Sequence, residues 1–405
     1  MTNSVKQQSR RLAKKLRRKR KLAKISKTTH HSRKNRDQIQ RKHSTTNTLN
    51  LALSHHSEGH LTDAEKLYQE VLDIEPNQPV ALHFLGVIAH QKGNNLLAVR
   101  LISKALSTTP DSPYLDYAEA NNNLGVAFYG LKRFEDAINS YKLAISINPV
   151  YALAHNNLGN TLRELERFDE ALVSYKEALT LEPNFPEARH MVDSLSGRTS
   201  KLPPQKYVET LFDGHAENFD ASISQLEYRI PFQIKELITK LNISGEKFEK
   251  TIDLGCGSGL AGDQLRDISE HLTGIDLSKN MLSIAKKLKA YDVLILGDIV
   301  KLLEKTKEKY DLFVALDVLI YIGDLSKLFN AVRTSCSDNA LFIFSVETKQ
   351  DGEYSLLSSG RYAHSDTYVS NIASDNFRLL ESRKINLRKE KGRWIHGKLF
   401  VFQAS

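Results

Sequence analysis

A glycine-rich turn follows a short apolar segment at residues 250–254 and precedes a polar, helix-like segment. Its sequence, DLGCGSG, places Gly255, Gly257 and Gly259 where the chain must change direction. Glycine permits positive backbone dihedrals and lacks a Cβ, so backbone atoms at such a turn can lie directly against a ligand. We therefore predict a small-molecule site at this turn, with a tight turn that binds nothing as the alternative.

The glycines alone do not identify the ligand, because Gly257, Gly259 and Gly262 also satisfy the G-x-G-x-x-G spacing of dinucleotide sites. The neighbouring acid is more specific. Asp253 lies two residues before the first glycine, where a pyrophosphate would meet a like charge. The same carboxylate favours a ligand with a cationic amino group, so the pattern indicates S-adenosylmethionine as the cofactor.

Two further acids follow the next predicted strands. Asp276 ends the segment LTGID and can accept both hydroxyls of a ribose, while Asp298 in LILGDI can reach an adenine amino group. Each acid also has a structural interpretation, because Asp276 and Asp298 could cap the helices that follow and Asp253 could anchor a strand end. Three acids at three successive strand ends are nevertheless placed to contact one ligand.

Candidate groups for contact with a second substrate lie farther along the chain. Asp317 and Tyr321 follow an apolar segment and should face the crevice at the carboxyl edge of the sheet, where α/β sites form. Asp317 is the first choice to orient or deprotonate a substrate, and His364 in GRYAHS is a second candidate base. The candidates for substrate contact are Arg361, Tyr362 and Tyr207. Packing or loop roles without function remain open for these residues.

Short apolar segments alternate with helix-like segments after residue 205, which predicts a parallel, doubly wound α/β sheet. The predicted strands are residues 250–254, 272–276, 292–296, 311–316, 340–346, 379–387 and 397–403. The predicted helices are residues 205–219, 229–241, 259–268, 278–288, 298–306 and 324–334.

A period of 34 residues separates Pro76 from Pro110 and Pro149 from Pro183. Small and large apolar residues recur before each proline at matching offsets, as in Leu124, Gly125, Ala137, Tyr141 and Ala144. The pattern resembles the tetratricopeptide repeat and implies four helical hairpins and a capping helix, stacked as an all-α solenoid. The expected lining of a groove for a protein or peptide is Asn121, Asn122, His155, Asn156 and Asn157, with simple solvation of these residues as the alternative.

Residues 205–405 resemble class I S-adenosylmethionine-dependent methyltransferases in the segments DLGCGSG, GIDLS, GDI and YDLFVALDVLIYIGDL. Together with the segments YVETLFDGHAENFD, LEYRIP and YSLLSSGRYAHSDTYV, the repeats resemble bacterial predicted methyltransferases that carry tetratricopeptide repeats. The resemblance implies a Rossmann-like methyltransferase domain at residues 198–405 behind a repeat domain at 45–197.

The net charge of +9 is concentrated at the N-terminus, where residues 1–42 contain 17 Lys and Arg and a single acid. We predict a basic, disordered tail over residues 1–44 that either solubilises the chain or attaches it to RNA, a ribosome or another anionic surface. No apolar run is long enough for a membrane span, and no secretory signal is recognisable. The two cysteines match no metal or redox spacing, so we predict no metal and a cytoplasmic location.

The sequence therefore predicts an S-adenosylmethionine-dependent methyltransferase whose repeats recruit a protein substrate or partner. A repeat scaffold with an inert methyltransferase fold is the first alternative, and an NAD-linked oxidoreductase is the second. The methyl acceptor is not predicted by the residues.

Overall fold

The computed structural model describes residues 33–108, 115–215, 226–240 and 247–405. The chain divides into two compact units, residues 1–188 and 189–405. Residues 1–32 of the predicted basic tail, and Pro110 of the repeat pattern, lie outside the described residues. The first helix begins at Arg33, so residues 33–44 are helical, in contrast to the disorder predicted there.

The first unit is helical throughout its described secondary structure. Its helices are α1 (Arg33–Glu58), α2 (Leu61–Ile74), α3 (Pro79–Gln91), α4 (Asn95–Thr108), α5 (Tyr117–Gly130), α6 (Phe134–Ile147), α7 (Ala152–Glu164) and α8 (Phe168–Leu181), followed by α9 (Pro186–Leu195) at the unit boundary. Consecutive helices pack as the pairs α1–α2, α3–α4, α5–α6 and α7–α8, and each pair packs against the next. This is the predicted succession of four hairpins.

The periodic small residues allow the two helices of a hairpin to approach closely. A Cβ built on Gly125 would lie 2.6 Å from the Tyr141 ring, and one built on Gly159 would lie 2.8 Å from the Tyr175 ring. Both tyrosines are buried. Each glycine therefore accommodates the aromatic ring 16 residues later, which explains the spacing seen in the sequence.

Two of the predicted groove asparagines, Asn122 and Asn157, bind each other inside the unit. Asn157 Nδ2 donates to Asn122 Oδ1 across 2.9 Å, which links α7 to α5 of the preceding repeat. Asn122 and Asn156 are buried, because the close packing of consecutive repeats covers them. The side chains of Asn122 and Asn156 are therefore unavailable to a bound peptide, which corrects our expectation for these two residues.

Among the described helices, none is both long enough and apolar enough to cross a membrane.

The second unit is built on one mixed sheet. Its strands are β1 (Phe248–Leu254), β2 (Ser269–Asp276), β3 (Val293–Leu296), β4 (Tyr310–Ala315), β5 (Cys336–Lys349), β6 (Tyr354–Leu356), β7 (Tyr362–Ser365), β8 (Phe377–Glu390) and β9 (Arg393–Ala404). The first five strands pair in parallel in the order β3-β2-β1-β4-β5. β9 then pairs antiparallel with both β5 and β8, while β7 pairs in parallel with the last three residues of β5.

Helices cover the sheet and connect its parallel strands. They are α10 (Gln205–His215), α11 (Pro231–Lys240), α12 (Gly262–Arg266), α13 (Lys279–Leu288), α14 (Ile299–Lys305), α15 (Ser326–Ser335) and α16 (Asp366–Ala373). Apolar residues of the central strands form a core on each face of the sheet, with Phe313 and Phe342 on one face and Val314 and Ile343 on the other. The Rossmann-like core is thus wound on both faces, as predicted.

The sheet differs from the prediction at its far edge, where two strands run antiparallel. Lys391 and Gly392 join β8 to β9 and both have positive φ, 47° and 77°. A two-residue loop with two positive φ values matches the right-handed twist of a β-hairpin. The short pair β6–β7 was also missed, because three- and four-residue strands carry almost no periodic signal.

Because the glycine and the tyrosine of a repeat are in contact, substitutions of the two residues should have non-additive effects on the free energy of unfolding. We expect Gly125→Ala to lower the free energy of unfolding by about 1–3 kcal/mol, because the new methyl group would overlap the Tyr141 ring. Urea unfolding followed by far-ultraviolet circular dichroism measures this change. In a Tyr141→Leu background, which removes the ring, Gly125→Ala should cost clearly less. Equal costs in both backgrounds would contradict the packing account.

Candidate functional site

A cavity of about 690 Å³ opens at the carboxyl ends of the parallel strands in the second unit. Its lining includes Asp253, Gly255, Gly257, Asp276, Asp298, Asp317, Tyr321 and Arg361 of the predicted site. Gly259, Tyr207, Tyr362 and His364 are not among the lining residues. The strand-end acids and the glycine turn therefore share one cavity, and the candidates from the later loop mostly do not.

The backbone of the glycine turn has a positive φ at each of its three glycines, which occupy alternate positions. Gly255, Gly257 and Gly259 have φ of 76°, 53° and 93°, a region that L-residues rarely occupy. A Cβ on Gly255 would lie 2.4 Å from Val318 Cγ2, whereas one on Gly257 would meet no atom within 4 Å. Gly255 is therefore required for close packing against Val318. Gly257 leaves its backbone exposed to open space.

Asp253 lies at the end of β1 and is almost completely buried. Its Oδ2 accepts a hydrogen bond from the Tyr291 hydroxyl at 2.7 Å. Burial raises the pKa of Asp253 to about 7; the Tyr291 bond opposes this shift and the nearby charge of Asp276 adds to it. A cation in the cavity would favour the ionised form, and an anion would be repelled by it.

Asp276 ends β2 and holds the glycine turn in place. Its Oδ2 accepts from Gly257 N at 2.8 Å, and its Oδ1 accepts from Ser278 N at 2.8 Å. Ser278, rather than Asp276, is the N-cap of α13. Burial raises the pKa of Asp276 despite these backbone donors. Each carboxylate oxygen can accept a second hydrogen bond, so the group retains acceptor capacity for ligand hydroxyls.

Asp298 has the capping role that we gave as its alternative. Its Oδ1 accepts from Lys301 N at 2.9 Å, as the N-cap of α14. The residue nevertheless lines the cavity. A capping bond uses one lone pair of the carboxylate, so contact with a ligand and capping are compatible.

Asp317 follows β4 in a left-handed conformation, with φ of 55°. Its backbone N–H donates to Ser345 Oγ at 2.8 Å, and its Oδ1 accepts from Arg388 Nη1 at 2.8 Å. A left-handed aspartate is uncommon outside turns and functional sites, and two side-chain partners hold it there. The strand end therefore directs this carboxylate toward the cavity and Arg388.

Arg388 is buried and binds three carboxylates. Besides Asp317, its Nη2 contacts Glu347 at 2.9 Å and its Nε contacts Glu390 at 2.5 Å. Glu390 also pairs with Arg361, whose Nη1 lies 2.7 Å from it. Burial alone would lower the pKa of Arg388, but the three carboxylates outweigh it and raise that pKa. The guanidinium is permanently charged and fixes the orientation of Asp317.

His364 is positioned differently from our prediction that it acts as a base. Its ring is fully buried, and Nε2 lies 2.9 Å from both Ile322 O and Gly323 O, so this nitrogen must donate. Burial lowers the pKa of His364 to about 4, against the opposing effect of the two carbonyls. We therefore withdraw the base role. His364 instead supports the turn that follows Tyr321.

Two of the three substrate-contact candidates also face away from the cavity. The Tyr362 hydroxyl lies 2.7 Å from Ser200 Oγ, and burial raises the pKa of Tyr362 to about 12. The Tyr207 ring packs 4.5 Å from the His190 ring, on the side of α10 that faces α9. The apolar side of α10 that lines the cavity carries Phe212 instead, whose ring meets Tyr321 edge-on at 5.1 Å. Of the three, only Arg361 lines the cavity.

Three residues of the site were missed by the sequence argument. Tyr228 and Arg388 line the cavity, and Tyr291 binds Asp253. Tyr228 lies in LEYRIP, a segment that contributed to the family resemblance. Arg388 follows an interruption of the β8–β9 register at Asn386, and such bulges redirect side chains toward sites. Nothing in the local sequence signals either Arg388 or Tyr291.

Comparison with known families agrees with this architecture. Residues 246–381 match the family model described as a methyltransferase domain. Residues 127–162 and 152–185 match two models of the tetratricopeptide repeat. The chain therefore carries a methyltransferase domain preceded by tetratricopeptide repeats, which agrees with the predicted fold class of an all-α repeat unit followed by a Rossmann-like α/β domain, and the domain match supports S-adenosylmethionine as cofactor.

The curated relatives match only part of this chain. The 18S rRNA (guanine-N(7))-methyltransferase RID2 of Arabidopsis thaliana is 30% identical over 107 residues, 26% of this chain and 35% of the relative. The malonyl-(acyl-carrier protein) O-methyltransferase of Chlorobium phaeovibrioides is 28% identical over 160 residues, 37% of this chain and 62% of the relative. The chain thus spans less than two thirds of either relative.

Among solved structures, the N-methyltransferase NodS from Bradyrhizobium japonicum, bound to S-adenosyl-L-homocysteine, is matched with a TM-score of 0.40 and 15% identity. The match covers 49% of this chain and 98% of NodS.

Burial of Asp253 predicts a pH-dependent penalty in the ligand-free protein. Its folded pKa of about 7 exceeds the ordinary value of 3.8, so the penalty is absent below pH 3.8, grows as pH rises to 7, and is constant above. Asp253→Asn, which mimics the protonated form, should therefore stabilise the protein more at pH 8 than at pH 5, by about 3 kcal/mol. Urea unfolding at both values measures this difference. The exposed substitution Asp263→Asn is the control, and an equal effect of Asp253→Asn at both pH values would contradict the assignment.

Proposed function

We propose that the second unit binds S-adenosylmethionine and transfers its methyl group to an acceptor held in the same cavity. The observation that carries the proposal is the pair of carboxylates at adjacent strand ends, the buried Asp253 and the half-buried Asp276, beside a turn with bare backbone at Gly257. Two desolvated acids with raised pKa values favour a ligand that brings positive charge. They disfavour the pyrophosphate of NAD, the ligand of the oxidoreductase alternative.

Each cofactor-facing residue has a defined part in this proposal. Asp276 accepts the ribose hydroxyls, Asp253 faces the cationic amino group and Asp298 faces the adenine amine. Gly257 N–H is already committed to Asp276, so the open Cβ side of this glycine, rather than its donor, borders the ligand. When bound, S-adenosylmethionine supplies an electrophilic methyl group on a sulfonium.

The acceptor side is assigned to Asp317, with Tyr321 and Arg361 nearby in the lining. Methyl transfer is an in-line displacement, so the protein's main contribution is to align the nucleophile, and positioning of this kind contributes about 7–11 kcal/mol in favourable cases. Asp317 is held by Arg388 and its own strained backbone, which suits a group that orients an acceptor or takes its proton.

The repeats and the tail concern recruitment. We propose that the tetratricopeptide repeats recruit a protein or peptide, as substrate or as a separate partner, and that the basic residues of the tail attach the chain to RNA, a ribosome or another anionic surface. The two curated relatives are named for different acceptors, one a guanine nitrogen of 18S rRNA and the other an oxygen of malonyl-(acyl-carrier protein), so they support methyl transfer and leave the acceptor to experiment. Both cysteines are buried and free, which suits a reducing, cytoplasmic setting.

Cofactor binding is tested by thermal unfolding of the full chain with increasing S-adenosylmethionine. We expect the melting temperature to rise, corresponding to about 2.7 kcal/mol at a concentration one hundred times the dissociation constant. Asp276→Asn should weaken binding at least tenfold, whereas the exposed control Asp263→Asn should not. NADH should cause no shift. The absence of a shift with S-adenosylmethionine would favour the inert scaffold, and a shift with NADH alone would favour the oxidoreductase.

The role of Asp317 is tested with isotopically labelled methyl donor in cell lysate. Asp317→Asn should leave cofactor binding within twofold of the wild type and slow label transfer about 10²–10⁴-fold, the usual contribution of a general base. Mass spectrometry identifies the labelled molecules. Unchanged transfer by this variant would remove Asp317 from the mechanism, and label confined to small metabolites would contradict a protein substrate.

A further inference from the structure

Three potential metal ligands meet at the end of the first repeat helix, far along the chain from the methyltransferase domain. His55 and Glu58 lie in the last turn of α1, and His60 is the N-cap of α2. The two imidazoles face each other with Nδ1 to Nδ1 at 3.4 Å, and Glu58 Oε2 lies 3.5 Å from His60 Nδ1. All three ligand atoms lie within 4.8 Å of one another.

These separations match the edges of a tetrahedral zinc site. With zinc–nitrogen and zinc–oxygen bonds of about 2.0–2.1 Å, two ligand atoms of a tetrahedron stand about 3.3 Å apart. The two distances of 3.4 Å and 3.5 Å are close to that edge. Two histidines and one glutamate form a known zinc donor set, in which a water or another donor takes the fourth position.

The surrounding backbone holds the three side chains in this arrangement. Gly59 has φ of 88°, which reverses the chain between Glu58 and His60, and His60 N donates to His55 O at 2.9 Å. Ser54 Oγ donates to Glu58 Oε1 at 3.0 Å, so the other oxygen is the one directed at His60. The cluster also lies at the C-terminus of a long helix, where exposed carbonyls favour a cation.

The two facing Nδ1 atoms of His55 and His60 need either a proton or a metal ion between them. In the metal-free protein, one imidazole must carry its proton on Nδ1 and donate it to the other ring, because two lone pairs facing each other repel. A divalent ion would allow both Nδ1 atoms to present lone pairs, with both Nε2–H groups directed away from the ion. The geometry therefore suits a metal better than a fixed hydrogen bond between two neutral rings.

We propose that His55, Glu58 and His60 form a Zn²⁺ site that clips α1 to α2, with its fourth position open to water or to a donor from a bound partner. The site is independent of methyl transfer, and it revises the sequence-based prediction that the protein binds no metal. Because it joins the last turn of one helix to the first residue of the next, an ion bound there stabilises the first hairpin of the repeats.

The proposal is tested by calorimetric titration of the metal-free full chain with Zn²⁺. We expect one site in the wild type that His60→Ala weakens at least tenfold. Glu58→Gln, which keeps the side-chain shape, should weaken the same site. The control is His155→Ala, which removes an imidazole of α7 and should leave binding unchanged. Titration with Co²⁺ should give the intense visible absorption of a tetrahedral complex in the wild type and the control, but not in His60→Ala.

Circular dichroism of the metal-free variants shows whether the helices remain folded. His60 makes no side-chain capping bond, so its replacement should preserve the helix content. Zn²⁺ should also raise the melting temperature of the wild type and not that of the His60→Ala variant. Identical Zn²⁺ isotherms for the wild type, His60→Ala and Glu58→Gln would overturn the proposal, as would a Co²⁺ complex with only the weak absorption of octahedral coordination.

Discussion

The hydrogen bond from Gly257 N to Asp276 Oδ2 is the interaction on which the site depends. It ties the turn after β1 to the end of β2. The carboxylate of Asp276 and the exposed backbone of the turn are therefore held in a fixed position relative to each other. The bond requires a turn with positive φ at three positions, and glycine adopts such φ values readily because it has no Cβ. Without that turn the strand ends would still be adjacent, but no shaped surface would lie between them.

The site combines this turn with charged groups that lower the stability of the folded protein when no ligand is bound. Asp253 is buried with a raised pKa, and Asp317 adopts a left-handed backbone conformation against Arg388. Such features reduce stability and persist where the surrounding fold enforces them. The dense apolar core of the sheet, with Phe313 and Phe342 fully buried, provides that enforcement. Stability is thus concentrated in the sheet, while the strained and charged groups collect at its carboxyl edge.

The sequence predicted the parts of the site whose signals are local. The glycines follow β1 directly, Asp276 is the last residue of β2, and the repeats recur with a fixed period, so all were accessible to spacing arguments. Arg388 was not, because it reaches Asp317 across 71 positions of the chain through an irregular strand. His364 was misassigned for a related reason. Its residue type suggested a base, and only tertiary contacts reveal that two carbonyls occupy its nitrogen.

The central claim is that the strand-end carboxylates bind a cationic nucleoside, and a crystal structure of the chain with S-adenosylmethionine tests it most directly. The account predicts the ribose hydroxyls within hydrogen-bonding distance of the Asp276 carboxylate and the amino group on the Asp253 side of the glycine turn. A cavity without density at saturating ligand, or a ligand whose sugar is bound away from Asp276, would contradict the account.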